Sequence, residues 1–507
     1  MFNFTDAMDE LIDQVAHGSK AVMNDKQFVE REITRFKVSK RRKAMLDGDR
    51  YFRGKQDILA RKRTMIGADG ELVEVDNIPN NRVIDNQYRK MVNQKANYLL
   101  GQPITFQGDN DQYIEAVKQI FNKRFMRLLK NMGKDALNEG IVWILPTYDE
   151  DGEFVLKKIQ GHEIIPGWKD ADHTVLEYAI RVYALVDYSG ESERIIEKVE
   201  VYDETGIYYF QLDGGHLTPE DPYHQPYLMY GDIPYNWSKI PLIPFKRDSE
   251  EIPLITCCKS LQDGLNLILS NFQNNMEEDA RNTILILVNY DGENLGEFRK
   301  NLSTYGAVKV KTVDGAAGDL KTLQVEVNAE NYKAILEIFK KAIIENCMGY
   351  DAKDERLNGN PNQMNIQSMY SDIDLDANDM ETEFQASFEE LLWFVNCHLA
   401  NTGVGDFEGE DLEIIFNRDI LINESEAIDN VMKSVGLLSD ETLIAQHPWV
   451  DDPQDELKKK EEERKKNIEE GYLNAFKPQN TDPNNPDDPD NPDDPKKKGD
   501  PNRGDRK

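Results

Sequence analysis

The strongest constraint on the fold is a long amphipathic stretch over residues 364–400. Its apolar residues recur at steps of 4, 3, 4, 3, 4, 4, 3 and 4, at Ile366, Tyr370, Ile373, Ala377, Met380, Phe384, Phe388, Leu391 and Val395. This spacing predicts one α-helix with a single buried face. At a rise of ~1.5 Å per residue the helix would be roughly 55 Å long, which is unusual for a globular enzyme. Two interpretations follow: a core helix of a large domain, or a helix that bridges subunits or crosses the wall of a ring.

A polar loop over residues 349–361 leads into this helix. Glycine stands at both ends of its charged part, at Gly349 and Gly359, and asparagine surrounds the second glycine. Both residue types favour turns over regular elements. The sequence therefore predicts a loop rich in hydrogen-bonding groups directly before the long helix.

Composition restricts the class of protein. With 507 residues, 39% hydrophobic and 31% charged, the chain has enough apolar material for several structural units. No apolar run approaches the ~18 residues of a membrane span, and the first residues lack the pattern of a signal peptide. The four cysteines form no C-x-x-C pair, which indicates a reducing compartment. We expect a cytosolic product without a membrane partner.

The net charge is −33, and the proline-rich tail contributes little of it. Residues 477–507 hold 8 Asp against 7 Lys and Arg, or −1, so −32 belongs to the rest of the chain. Broad binding to nucleic acid is excluded, because phosphate neutralisation drives such binding. A mostly repulsive wall past which DNA slides is compatible with this charge, and so is acidity that serves solubility alone.

One stretch runs against this acidity. Residues 31–63 carry 13 Lys and Arg against 4 Asp and Glu. A nucleic-acid surface is one interpretation. The favoured alternative is a helix face that pairs with an acidic neighbouring subunit.

The remaining elements predict an α+β fold. Segments rich in β-branched and aromatic residues, separated by Asp-Gly and Gly-Gly, predict antiparallel strands at 141–147, 153–159, 177–186, 195–202 and 206–212. Two further helices, 253–281 and 329–348, enclose a small α/β insert over 284–327. A strand at 411–417 and helices at 424–435, 439–446 and 455–470 follow. The Asp- and Pro-rich tail, 476–507, is predicted to be disordered.

Several apparent enzyme and metal motifs fail on physical grounds. Residues 315–322 have the wrong Gly-to-Lys spacing for a phosphate-binding loop. Asp372, Asp374 and Asp376 imitate an EF-hand, but the obligatory turn glycine is Ala377 and the helical pattern continues through it. Histidines are scattered, and no side chain is placed as an activated nucleophile. The sequence predicts neither an enzyme, nor a metal site, nor a cofactor.

The same helix carries a row of carboxylates at Asp372, Asp376, Asp379 and Glu383. No lysine lies four residues further along to pair with them, so the row costs some stability. We expect it either to repel DNA or to pair with a basic patch.

Several motifs, taken together in order and spacing, resemble one family. They are Tyr51-Phe-x-Gly54, Asn81-Arg-Val to Asn86-x-Tyr88-Arg-Lys, Lys95-Ala-Asn-Tyr-Leu-Leu-Gly-x-Pro103, Ile240-Pro-Leu-Ile-Pro-Phe245, Gly359-Asn-Pro-Asn-Gln-Met and Tyr370-x-x-Ile-Asp-Leu-x-Ala-Asn378. Over roughly 30–450 the chain resembles the portal proteins of SPP1-type tailed bacteriophages.

The resemblance implies a portal fold assembled as a dodecameric ring around an axial channel. Its regions would be a wing (1–250), a first stem helix (251–283), a clip (284–327), a second stem helix (328–348), a tunnel loop (349–363), a long kinked helix from wing to crown (364–400) and a helical crown (401–475). Edge strands of so small a clip would pair across subunits.

The implied function is a passive channel at one capsid vertex, through which double-stranded DNA is packaged and ejected. In the tunnel loop, Lys353, Arg356, Asn358, Asn360 and Asn362 are the candidates for phosphate contacts. Lys309 and Lys311 in the clip are candidates for binding terminase or a head–tail adaptor protein. The implied partners also include major capsid and scaffolding proteins, with assembly in the host cytoplasm. Two alternatives remain: a structural connector that conducts no DNA, and, less favoured, a nucleic-acid-processing enzyme.

Overall fold

The computed structural model describes most of the chain, in two compact units that divide after Leu421. The described residues are 26–66, 71–74, 78–188, 193–230, 233–279, 284–288, 319–323, 329–353, 363–418, 424–450 and 453–475. The predictions for Arg356, the loop asparagines, most of the clip and the tail fall outside these ranges.

Helices dominate both ends of the first unit. They are α1 (Lys26–Val38), α2 (Lys40–Phe52), α3 (Gln87–Leu100), α4 (Asp111–Ile120), α5 (Lys123–Glu139), α6 (Ile255–Asp279), α7 (Ala329–Asn346) and α8 (Gln363–Asn401). The second unit contains α9 (Glu424–Ser434), α10 (Asp440–Ala445) and α11 (Pro453–Ala475). No helix in the described ranges combines the length and apolar content that a membrane crossing needs.

The strands are short and pair antiparallel. They are β1 (Thr64–Ile66), β2 (Leu72–Glu74), β3 (Thr105–Gln107), β4 (Ile141–Tyr148), β5 (Phe154–Gln160), β6 (Ile164–Trp168), β7 (Leu176–Asp187), β8 (Arg194–Asp203), β9 (Gly206–Asp213), β10 (His216–Gln225), β11 (Leu228–Tyr230), β12 (Ile233–Tyr235), β13 (Ile243–Lys246), β14 (Ile284–Val288), β15 (Asp319–Leu323) and β16 (Glu413–Ile415). The five predicted strands between 141 and 212 are confirmed as β4, β5, β7, β8 and β9.

Two sheets form the middle of the first unit. The larger has the order β10-β9-β8-β7-β6 and the smaller the order β13-β4-β5. The sequence pattern missed β6 and β10, which contain Pro166, Pro219 and Pro222. Both are edge strands, where a residue without an N–H is tolerated. The prolines interrupt the strand pattern in the sequence, and this is why these two strands were not predicted.

The long helix α8 organises the main core. All nine positions of its predicted apolar stripe are buried, with Phe384, Leu391 and Val395 fully so. The ring of Phe388 lies among four phenylalanines: Phe121, Phe125, Phe245 and Phe416. The predicted single buried face is confirmed. Within one chain, α8 is the core helix of a large domain, the first of the two interpretations given above.

Helix α6, predicted over 253–281, buries polar side chains along one face. Met276 is 55% exposed, whereas Gln262, Asn266, Ser270 and Asn274 are almost wholly buried. These four polar residues, spaced four apart, lie on one face of the helix. They form a polar ladder against the extended residues 81–88.

Each rung of the polar ladder bonds to backbone. Asn81 N donates to Asn274 Oδ1 (2.7 Å), Val83 N to Ser270 Oγ (2.9 Å) and Asp85 N to Asn266 Oδ1 (3.0 Å). The Gln262 amide accepts from Tyr88 N and donates to Asp85 O. The ladder satisfies backbone groups that would otherwise be buried without partners. It joins the α6 helix to the segment that leads into α3.

Strand β16 attaches residues after α8 to the first unit. It pairs with β3, with Ile414 opposite Phe106. The boundary between compact units, after Leu421, therefore lies about twenty residues beyond the predicted start of the crown at 401.

Candidate nucleic-acid interface

The base of the predicted tunnel loop is built by the end of α7. Met348 adopts a left-handed backbone conformation (φ 50°), and Gly349 N donates to Ile344 O at 2.9 Å. This turn ends the helix in the usual left-handed manner. A Cβ on Gly349 would lie 2.8 Å from Met91 Sδ and 2.9 Å from Gln94 Oε1. A larger residue here would displace the ends of the Met91 and Gln94 side chains, because the chain passes so close to α3.

Helix α3 holds the first residues of the loop with two adjacent side chains. The Gln94 amide donates to Tyr350 O (2.8 Å) and accepts from Tyr350 N (3.2 Å). Lys95 Nζ donates to Met348 O at 3.1 Å. These contacts fix the backbone at 348–350, so the loop starts from a defined point.

An aromatic stack connects the loop base to α8. Tyr350 packs on Tyr370 with ring centroids 4.6 Å apart, and Tyr370 stacks on Tyr98 at 5.6 Å. The Tyr98 hydroxyl donates to Asp374, to which Arg418 also pairs. Burial raises the pKa of Tyr98, and its bond to Asp374 raises it further, so the phenol stays protonated. The stack links the beginning of the loop with the first turns of α8 and, through Asp374, with Arg418 after β16.

Asp376 pairs with basic side chains, which is one of the two roles expected for the carboxylate row. It is 8% exposed, and its two oxygens pair with Lys95 Nζ (2.6 Å) and Arg247 Nη2 (3.0 Å). Burial lowers the pKa of Lys95, and the charge of Asp376 offsets only part of this. Asp376 is therefore a structural ion in the core and is unavailable to repel DNA. Its partners come from distant segments, so spacing within the helix gave no sign of them.

The other row members differ among themselves. Asp372 and Asp379 are exposed, whereas Glu383 is half-buried and burial raises its pKa. Lys353 is exposed, with its backbone N–H donating to Asp351 Oδ1 at 3.0 Å. The remaining loop candidates (Arg356, Asn358, Asn360 and Asn362) and the clip candidates Lys309 and Lys311 lie outside the described residues.

The basic stretch over 31–63 is neutralised in part within the chain. Five of its 13 cations form the ion pairs Lys37–Glu197, Arg41–Glu251, Arg50–Asp47, Arg50–Asp57, Arg53–Asp49 and Lys62–Glu74. These carboxylates belong to the same chain, so part of the stretch has a structural role in the first unit. The pairing with an acidic neighbouring subunit stays a prediction for the other cations.

Glu251 contacts two cationic side chains and a histidine where the second sheet meets α6. It is 4% exposed, and it contacts Arg41, His173 Nδ1 (2.9 Å) and Lys246 Nζ (3.3 Å). Burial raises the pKa of this carboxyl, but the three partners lower it more, to about 2. A pKa below the ordinary 4.5 means that the ionised form is stabilised by folding.

This shift predicts a pH dependence of stability. The contribution of Glu251 is fully present above its unfolded pKa of 4.5 and is lost as pH falls towards about 2. Between those values we expect the wild-type free energy of unfolding to fall by roughly 2–3 kcal/mol more than that of Glu251→Gln. Urea unfolding of both proteins at several pH values measures the difference. Parallel curves would contradict the assignment.

Comparison with known proteins gives the family. The model described as "Phage portal protein, SPP1 Gp6-like" matches residues 37–470. The chain is 30% identical to the portal protein of Bacillus phage SPP1 over 426 residues, covering 83% of each chain. It is 29% identical to that of Clostridium phage phiCD119 over 438 residues, covering 84% of this chain and 93% of the relative. The chain therefore belongs to the SPP1 Gp6-like family of phage portal proteins, as the sequence motifs indicated.

Solved structures of gene transfer agent particles are more distant. A chain from the virion of the native particle is 12% identical with a TM-score of 0.40, over 71% of this chain and 89% of its own length. A chain from the neck of the native particle, computed with C12 symmetry, is 11% identical with the same TM-score, over 71% and 88%. By family, the chain is a structural protein of phage particles rather than an enzyme. Among the described residues, no group of three or more His, Cys, Asp or Glu side chains is arranged to hold a metal ion.

Proposed function

We propose that this chain assembles into a dodecameric ring at one capsid vertex and that double-stranded DNA passes through the ring during packaging and ejection. Family membership supports the class of protein. The observation that carries the channel proposal is the rigidly held base of the loop at 348–350. A loop that touches moving DNA needs such a fixed base, because the tip of the loop must move while its first residues keep their position in the subunit.

In this proposal α6 and α7 form the stem, and β14 with β15 belongs to the clip. Helix α8 joins the wing to the crown, and the second unit supplies the crown helices. The proposed clip would dock terminase and a head–tail connector, with Lys309 and Lys311 on its surface. Terminase would supply the energy of ATP hydrolysis, because portal action itself requires only conduction.

The proposed DNA contacts are electrostatic and independent of sequence. Lys353 and Arg356 would pair with phosphates, and Asn358, Asn360 and Asn362 would donate hydrogen bonds to them. Twelve copies of so few cations bind weakly at any one position. Weak, repeated contacts allow DNA to slide, as does the acidity of the rest of the chain.

The first test is ring formation, measured by native mass spectrometry with negative-stain class averages. We then expect Lys353→Ala/Arg356→Ala rings to form normally and to package DNA at least tenfold less well than wild-type rings in a terminase-dependent assay. The reason is that the substitutions remove the loop's phosphate contacts and leave its anchor, Gln94 and Lys95, untouched.

A matched control is Lys55→Ala/Lys157→Ala, which removes the same charge from two exposed sites outside the loop. It should package like the wild type. Normal packaging by the loop variant would remove the loop from the mechanism. Rings without an open central channel would favour the alternative function, a structural connector that conducts no DNA.

A further inference from the structure

Helix α5 presents a face that the proposed channel does not explain. Five cations occupy its solvent side: Lys123, Arg124, Arg127, Lys130 and Lys134. Four of them, separated by steps of 4, 3 and 4, form one stripe. No ion pair joins any of the five to another residue in the part of the chain that the structure describes.

This basic stripe is unfavourable for an isolated subunit. Like charges four residues apart repel, and Lys123 and Arg124 stand in the first turn, where the helix dipole disfavours cations. The chain as a whole has 94 acidic residues, and the basic stretch over 31–63 uses some of them as partners. A stripe left uncompensated in so acidic a protein indicates an anionic counterpart outside the subunit.

The solvent side of α8 is a matching acidic face. Asp372, Asp379 and Glu389 are exposed there, and no ion pair holds them to any described residue. Leu375 lies between the first two and is 59% exposed. An exposed apolar side chain surrounded by like charges is typical of the centre of a contact surface.

The basic stripe and the acidic face lie on different sides of the subunit. The two helices contact each other through buried residues: the rings of Phe125 and Phe388 are 6.0 Å apart, and a Cβ on Gly133 would lie 3.4 Å from Met380 Cε. On α5, Arg127 lies two residues beyond Phe125, a rotation of about 200°. The exposed faces of α5 and α8 therefore point away from each other.

We propose that the basic stripe of α5 binds the acidic face of α8 on the neighbouring copy of this chain. The inference rests on the proposed ring and names the surfaces that close it. Different, complementary surfaces on two sides of a subunit give a head-to-tail contact, which generates a ring when the rotation closes. Lys123 to Lys134 spans roughly 16 Å and Asp372 to Asp379 roughly 10 Å, so two or three ion pairs can form at once.

A second copy explains more than DNA does. DNA would account for the basic stripe but would not neutralise the acidic face of α8. Pairing between copies neutralises both surfaces with one contact. It also makes ring assembly sensitive to ionic strength, because partly exposed ion pairs are screened by salt.

The test is a charge exchange in the full chain. Arg127→Glu/Lys130→Glu and Asp372→Lys/Asp379→Lys should each lose the ring in native mass spectrometry at a salt concentration where the wild type is fully assembled. The four substitutions combined should restore it. Lys55→Glu/Lys157→Glu, which changes the same charge elsewhere, should form rings, and circular dichroism checks that each variant is folded.

Three results would overturn the pairing. One is intact rings in both charge-reversed variants, and a second is loss of rings that the combined variant fails to restore. The third is intact rings of the α5 variant with at least tenfold weaker binding to a duplex DNA probe, which would assign the stripe to DNA. A wild-type chain that never forms a ring would instead refute the proposed function on which this inference rests.

Discussion

Asp376→Asn is expected to lower the free energy of unfolding by about 3–5 kcal/mol, the usual effect of removing one partner from a buried ion pair. The substitution leaves two buried cations, Lys95 and Arg247, without their carboxylate. Asparagine keeps the volume and still accepts a hydrogen bond, so the loss measures charge rather than packing. Urea unfolding followed by tryptophan fluorescence gives the value.

A matched control lies outside both the buried ion pair and the proposed subunit contact. Asp109→Asn makes the same chemical change on an exposed side chain. It should alter the free energy of unfolding by no more than about 0.5 kcal/mol. Equal effects of the two substitutions would show that Asp376 is not the buried ion described above. A second consequence is specific to the loop: with Lys95 unpaired, its bond to Met348 O weakens, so proteolysis near 348–353 should become faster in Asp376→Asn alone.

Phe388→Ala should have an effect of similar size, about 3–5 kcal/mol, because it opens a cavity at the centre of the main core. Four aromatic rings surround this residue, all with centroids within 6.1 Å. They come from the end of α4, from α5, from β13 and from the segment after β16, and they cannot all collapse into the space. Denaturant unfolding again measures the loss.

Phe388→Leu tests whether the loss of stability follows the side-chain volume that is removed. Leucine retains much of the volume, so the expected loss is smaller than for alanine by at least about 1 kcal/mol. If both variants were equally stable, the site would be able to relax, and the tightly packed aromatic cluster would not describe the protein in solution.

Periodicity predicted the parts of the fold in which one face is apolar. Helix α8 is the clearest case, since every member of its stripe, from Ile366 to Val395, is buried. The hairpins of the larger sheet followed from alternation and turn residues. Family motifs correctly indicated the class of protein.

The sequence pattern failed where polar groups are buried. Asp376 looked like an exposed row member because its partners are Lys95 and Arg247, which lie far away in the chain. The polar ladder was missed for the same reason: Asn266 and Ser270 each accept a backbone N–H from a segment far away in the chain. The four-residue spacing of Gln262, Asn266, Ser270 and Asn274 could have predicted a buried polar face on this helix. A search for periodic hydrophobic residues alone does not detect it.

The polar ladder has a consequence for how these segments can diverge. Its bonds reach the main chain of residues 81–88, which every amino acid except proline presents in the same form. The contact therefore does not depend on the side chains at positions 83 and 85, whereas a change at Asn266 or Ser270 leaves a buried N–H without a partner. In related chains we expect the ladder to restrict all four helix positions, and to exclude only proline at the positions that donate an N–H to it.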